Sequence, residues 1–222
     1  MTFDKLLNRV YLGVQRDDLK PDYPDFINEA CKEIQKMRNW SWMHRLDNVV
    51  MQPGQTEVYL PDGFKTFEGK PPVFLLSSPS LNNPYNLNRK CIVVHRSEFM
   101  RQYQSYSPYG YLNRRVIPEF PLWYDTIDDR PVMGCLTNDL GVLNFSVSYY
   151  KWLPKLQNPG DENYLSLHEP LLVIAKAKSI ALSSINDPLA MGFEQEYMTR
   201  LKPAMDDDEL LRMANLRVRI GG

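Results

Sequence analysis

Phe26, Ile27, Ala30, Cys31, Ile34 and Met37 recur at three- and four-residue steps, which predicts one apolar stripe of a helix within Asp22 to Met43. Lys32, Glu33, Gln35, Lys36 and Arg38 fill the other side. Asp22 or Asp25 can cap its start, with Pro24 near the first turn. From Asp25 the capping-box position holds Asn28, and Glu29 falls one residue late. The stretch ends at Trp40 and Trp42, where the composition turns strand-like. Such a stripe needs a partner to be buried. The matching one lies near the far end of the chain, from Pro170 to Ser184, with Leu171, Leu172, Ile174, Ala175, Ala181, Leu182 and Ile185 on one side and Lys178 interrupting it. Helices from opposite ends of the chain are therefore expected to pack together.

The remaining pattern fills in around this pair. Leu6, Leu7, Val10 and Tyr11 predict a short helix over Phe3 to Gly13, which forms a hairpin with the next one across the turn region Asp17 to Tyr23. From Leu46 to Leu156 the chain is read as strands. Val49–Met51, Thr56–Leu60, Pro72–Leu76, Cys91–Val94, Pro121–Tyr124 and Pro131–Leu136 are short, turn-bounded apolar runs, and Leu143, Phe145, Val147 and Tyr149 alternate with polar residues. Ser97 to Tyr103 reads as a turn or two of helix, and Ser77 to Arg89 and Gln104 to Asn113 as loops. After Asn186-Asp187-Pro188 a further helix is expected with Leu189, Phe193, Tyr197 and Leu201 facing in, and after Pro203 a last short one. The closing RMANLRVRIGG has no obvious place in a core of its own and is a candidate arm for another subunit.

The expected fold class is α+β: a helical bundle of N- and C-terminal helices, an inserted small antiparallel β barrel or sandwich, and an extended C-terminal arm. The expected divisions are 1–45 for the first part of the bundle, 46–156 for the β region, 157–204 for the second part and 205–222 for the arm. Bundle core or subunit packing is assigned to Phe26, Ile27, Ala30, Ile34, Met37, Leu171, Ile174, Ala175, Ala181 and Leu182.

Composition narrows the function. A net charge of −1 over 222 residues argues against a strongly basic nucleic-acid binder or an acidic mimic. Seventeen prolines and thirteen tyrosines suit a turn-rich, half-buried β region. No apolar run approaches the roughly 20 residues that cross a bilayer, and no charged-then-apolar leader opens the chain, so no membrane association is expected. Cys31, Cys91 and Cys135 have no paired spacing and are read as reduced, buried thiols of a protein made in the cytoplasm.

Candidate chemistry is sparse. His44, His95 and His168 belong to no metal-ligand spacing, no serine sits in GxSxG, and Gly110, Gly134 and Gly141 do not form a phosphate loop. Neither a catalytic residue nor a metal or other cofactor is assigned. Asp128-Asp129 could be paired carboxylates of a hydrolase, but IDDRP reads as a solvated turn. Arg89-Lys90 and Arg114-Arg115 are isolated basic pairs. Trp40, Trp42, Trp123, Tyr124, Tyr149, Tyr150 and Trp152 are either a stacking platform for nucleic acid or core packing.

Three stretches carry a resemblance: DFINEACKEIQKMRNWSWM (25–43), TEVYLPDGFK (56–65), and LNFSVSYYKWLPKL (143–156) followed by EPLLVIAKAKSIALSSINDPLAMGFEQEYMTRL (169–201). In order and spacing they resemble the head-to-tail adaptor (connector) proteins of tailed bacteriophages of the podovirus-type neck; residues 72–136 match weakly. The resemblance implies a non-enzymatic virion protein that forms a ring, usually of about twelve copies, beneath the portal. Its implied partners are the portal protein, a downstream tail or nozzle protein, further copies of itself, and genomic DNA passing without sequence specificity. It also implies a docking arm carrying Leu211, Arg212, Met213, Leu216, Arg217, Val218, Arg219 and Ile220. The rival readings are a cell-wall-degrading neck hydrolase using Asp128 or Asp129, and a nucleic-acid-binding module using the aromatics and Arg114-Arg115.

Overall fold

The computed structural model describes residues 1–77, 89–103, 120–135 and 141–220, with side chains at the C-terminal end described through Met213. Two compact units emerge: Met1–Met43 with Trp152–Gly222, which is helical, and His44–Lys151, which is mostly strand.

In the helical unit, α1 (Phe3–Val14) buries Phe3, Leu6 and Val10. Its first N–H groups have no intrahelical acceptor. The Phe3 and Asp4 amides donate instead to the carbonyls of Asp161 and Pro159, each at 3.0 Å. Gln15 closes the helix in the left-handed region at φ 53°. A 3₁₀ turn, Asp17–Asp22, leads into α2 (Tyr23–Met37), which buries Tyr23, Ile27, Ala30, Cys31, Ile34 and Gln35. The helix stops earlier than its sequence suggests, because Arg38 is extended and Ser41–Met43 forms a separate 3₁₀ turn. Two polar side chains of α2 bind an extended strap, 152–157. The Leu156 amide donates to Asn28 Oδ1 and Asn28 Nδ2 donates to the Leu156 carbonyl, both at 2.9 Å, while the Leu153 amide donates to Gln35 Oε1 at 2.6 Å.

A short helix, α4 (Tyr164–His168), starts on a reciprocal cap. Ser166 N–H donates to Asn163 Oδ1 and the Asn163 amide to Ser166 Oγ, each at 2.9 Å. The next helix, α5 (Pro170–Ser183), is apolar almost all round; α1, α2, α4 and a long C-terminal helix pack against it. This helix, not α2, is the hub of the unit. The last helix, α6 (Ala190–Ile220), corrects one expectation: Pro203 lies inside it, and the chain runs on as the same helix instead of starting a separate short one. Tyr197, Leu201, Ala204 and Asp208 are buried on one face on both sides of Pro203, so packing holds the helix through a residue that would end it in isolation.

The second unit is a mixed β barrel that nearly closes. Its strands are β1 (His44–Met51), β2 (Glu57–Tyr59), β3 (Phe64–Phe67), β4 (Val73–Ser77), β5 (Arg89–His95), β6 (Phe120–Ile127), β7 (Arg130–Gly134) and β8 (Leu143–Lys151). The hydrogen-bonded order is β1-β8-β4-β5-β6-β7-β2, with β3 on the end of β8, and β2 comes back beside β1 without a ladder. The expectation of an antiparallel barrel is corrected at one place: β5 and β6 are parallel. A parallel pair needs a crossover, and α3 (Arg96–Tyr103) lies on that connection. Strand β8 is the hub here, pairing with β1, β4 and β3. Its alternation sends Leu143, Phe145, Val147 and Tyr149 into a core with Met51, Val73, Leu75, Leu122 and Met133. On the outside, α3 seats Phe99 against Trp123 and Val132.

The loops predicted at 77–89 and 104–113, together with Arg114-Arg115, lie essentially outside the described residues.

Candidate interaction surfaces

Within the helical unit four rings are stacked in a column. Trp40 and Trp42 are 5.8 Å apart, Trp42 and Tyr164 4.8 Å, and Tyr164 and His168 4.4 Å, with interplanar angles of 28° or less. Trp40 donates its indole N–H to the Ile34 carbonyl at 2.8 Å, which fixes the column to α2. Beside it a small cleft is lined by Glu169, Leu172, Asp207 and Leu211. Burial, reinforced by the nearby Asp207 charge, raises the Glu169 carboxyl above its ordinary range.

The root of the C-terminal helix is held by one buried carboxylate. Asp208 accepts the Ser41 amide at 2.7 Å and Arg212 Nε at 3.1 Å, and lies 3.4 Å from an Arg38 guanidinium nitrogen. Arg38 also donates to the Met205 carbonyl at 3.2 Å. Further back, Glu194 accepts from Lys176 at 3.0 Å and from Ser179 at 2.7 Å. Burial pushes the neighbouring Tyr197 hydroxyl up to about 12, with the Glu194 and Glu33 charges adding to it.

The sequence-assigned residues fall as follows. Ile27, Ala30, Ile34, Ile174, Ala175, Ala181 and Leu182 are buried in the helical unit and Phe26 is half-buried, edge-on to Tyr23. Met37 and Leu171 do not enter the core; each is 52 % exposed. Met37 closes the last turn of α2 and Leu171 opens the first turn of α5, so neither end-turn position faces the packed side. Of the arm residues, Arg212 is engaged with Asp208, whereas Leu211 and Met213 are exposed. Leu216, Arg217, Val218, Arg219 and Ile220 lie on the helical backbone of α6 beyond the described side chains.

Sequence reasoning missed a second stripe on α6. Met191 and Met198, seven residues apart, are 71 % and 53 % exposed, and Lys202, Asp206 and Glu209 continue the same side of the helix. Its signal was present in the spacing, but Phe193, Tyr197 and Leu201 dominate the same window. An open groove of about 570 Å³ also runs along α2, between Asp25, Glu29, Lys32 and Lys36 and the strap residues Trp152 to Lys155. It meets a second of about 380 Å³ at Phe3, Leu7 and Pro24.

The residues weighed for chemistry are dispersed. Asp128 and Asp129 are the exposed centre of the β6–β7 turn, at φ 50° and 59°. These are the positive values that a two-residue hairpin of the I′ type requires, which accounts for both aspartates structurally. His44 Nε2 lies 2.9 Å from both Ser148 Oγ and Glu68 Oε2, and Ser148 Oγ donates to the same Glu68 oxygen at 2.6 Å. Serine and carboxylate thus meet one histidine nitrogen and each other, whereas a nucleophile relay needs them on opposite ring nitrogens. His95 pairs with Ser97 and His168 with Tyr164. The aromatic cluster divides: Trp40, Trp42 and Trp152 belong to the helical unit, Trp123, Tyr124, Tyr149 and Tyr150 to the barrel. All three cysteines are buried and none is in a disulfide, and burial pushes the Cys31 thiol up to about 12. Among the described residues no helix is long and apolar enough to cross a membrane.

These features describe an α+β protein with exposed apolar positions along α6 and an open groove with charged residues on its rim along α2. The family model described as SU10 adaptor protein matches residues 1–219, and the chain belongs to this family of phage head-to-tail adaptors. A comparison with curated proteins gives no match.

Proposed function

We propose that this chain is a ring-forming, non-enzymatic adaptor of the virion neck that docks on the portal protein, receives a tail or nozzle protein below, and lines the path of the genomic DNA. The observation that carries this reading is the family match over 1–219. The ring, with about twelve copies, follows from the resemblance to podovirus-type connectors.

The docking element is the distal part of α6. At 31 residues the helix is roughly 46 Å long. Asp208 is its last deeply buried position among the described side chains, and Leu210, Leu211 and Met213 beyond it are exposed. Leu216, Val218 and Ile220 add apolar character to the following stretch, and Arg217 and Arg219 add charge. Arg212 is assigned to anchoring the helix in its own subunit, which moves the start of the docking segment beyond it.

Deleting residues 214–222 tests this directly. The truncated protein should melt like the full chain, because the Asp208 cluster is intact, and should fail to co-sediment with purified portal rings. Undiminished portal binding by a folded truncation would remove the arm assignment.

A further inference from the structure

We infer that the groove along α2 receives the outward stripe of α6 from a second copy of this chain, Glu29, Lys32 and Lys36 facing Lys202, Asp206 and Glu209. The inference rests on the ring reading above and adds which surfaces meet.

Charge order is the first argument. Along α2 the exposed rim runs from acidic to basic, through Glu29, Lys32 and Lys36, one turn at a time. Along α6 the exposed stripe runs from basic to acidic, through Lys202, Asp206 and Glu209, also one turn at a time. Two such helices laid parallel match opposite charges at every turn. The antiparallel arrangement would keep only the Lys32–Asp206 pair and set like charges together at both ends, Glu29 with Glu209 and Lys36 with Lys202.

Direction supplies the second argument. Inside one subunit α2 and α6 run the same way: Glu33 lies close enough to Tyr197 to perturb it, and further along Arg38 reaches the Met205 carbonyl. Neighbours in a ring of about twelve copies differ by a rotation of about 30°, so no helix changes direction by more than that angle. The next copy's α6 therefore stays close to parallel with this α2, near the shallow crossing angles that packed helices prefer.

Apolar fit is the third. In the register that pairs the charges, Met198 falls one turn before Lys202 and so meets the start of α2. That is where Phe3, Leu7 and Pro24 line the second groove. Methionine, unbranched and polarisable, suits an irregular cleft of this kind. The two patches share no residue, as a head-to-tail contact requires.

The test uses the full chain with Lys32→Glu and Lys36→Glu together, with Asp206→Lys and Glu209→Lys together, and with all four combined. Sedimentation velocity over a concentration series, alone and with purified portal rings, reads the oligomeric state; thermal melts establish that each variant folds. The wild type should assemble in at least one condition. Either reversal alone should raise the concentration for half-assembly about tenfold or more, and the combined variant should return to within about threefold of wild type. Reversals that assemble like the wild type, or a folded combined variant that fails to recover, would overturn this pairing and leave the ring reading standing. A wild type that stays monomeric in both conditions would overturn both.

Discussion

Gly134 in β7 stands opposite Trp123 in β6, and the indole lies across the glycine where a side chain would be. A Cβ added there would come within 2.3 Å of Trp123 Cζ2 and 2.6 Å of the Thr56 carbonyl oxygen. The second neighbour is backbone and the first is wedged between Phe99 and Val132, so neither can yield cheaply. Gly134→Ala should cost about 1–3 kcal/mol, the range for overpacking a filled core, read as a lowered denaturation midpoint. In the sequence Gly134 belongs to no phosphate loop, and its packing role is invisible until Trp123 is known to lie opposite. Glu169 makes a different single-residue case. Burial and Asp207 raise its carboxyl in the folded protein, so the native state holds that proton more tightly than the unfolded chain. Its destabilising effect is therefore complete above the folded value and disappears as pH falls below the ordinary range for glutamate. Glu169→Gln should raise the melting temperature at neutral pH, and the gain should shrink to nothing as the melt is repeated at progressively lower pH.

Among the elements, most strands and the first and central helices were legible because their apolar positions repeat with a clean period. The Leu143 to Tyr149 alternation became β8, and Ile27, Ala30, Cys31 and Ile34 became the buried side of α2. What failed were elements specified by something other than period. The short helix α4 rests on a reciprocal Asn163–Ser166 cap that has no acidic partner to advertise it, and β3 is a four-residue edge pairing with the end of β8. The central place of α5 was also missed, because the stripe read there left out Val173, Ala177 and Ser179, which are buried as well. At the end of α6 the sequence suggested charge looking for another subunit, whereas Arg212 turns back to Asp208. Magnitudes decide which member of that cluster matters. Asp208 is buried and shared by Ser41, Arg38 and Arg212, so Asp208→Ala leaves buried donors uncompensated and should cost about 3–5 kcal/mol. Arg212 is one-third exposed, and its Nη2 is buried without a hydrogen-bond partner. Arg212→Met keeps the aliphatic packing and leaves Asp208 its other partners, so it should change stability by no more than about 1 kcal/mol. Chemical denaturation of the two variants side by side distinguishes an anchor built on the carboxylate from one built on the pair.

At the scale of the whole molecule, the barrel is an insertion: the chain leaves the helical unit after Met43 and re-enters it at Trp152. The ladder between β1 and β8 pairs His44 with Tyr150, which sets the two strands side by side at about 5 Å between paired Cα atoms. The cluster of His44, Ser148, Glu68 and Tyr150 ties the same end of these strands together. Entry and exit of the insertion are therefore neighbours, and a few residues can join Met43 to Trp152 without stretching either. The helical unit supplies its own burial: α5 is covered by α1, α2, α4 and α6, and the Asp208 anchor uses residues of that unit alone. Replacing 44–151 with a short Gly/Ser linker should accordingly give a soluble protein with a helical far-UV circular dichroism spectrum and a cooperative melt. If the excised protein is unfolded or melts without cooperativity, the barrel is needed to fold the helices, and the two compact units are one folding unit. If it folds, the same protein provides a clean assay for the portal: binding retained without the barrel would assign that contact to the helical unit, as the proposed docking through α6 requires.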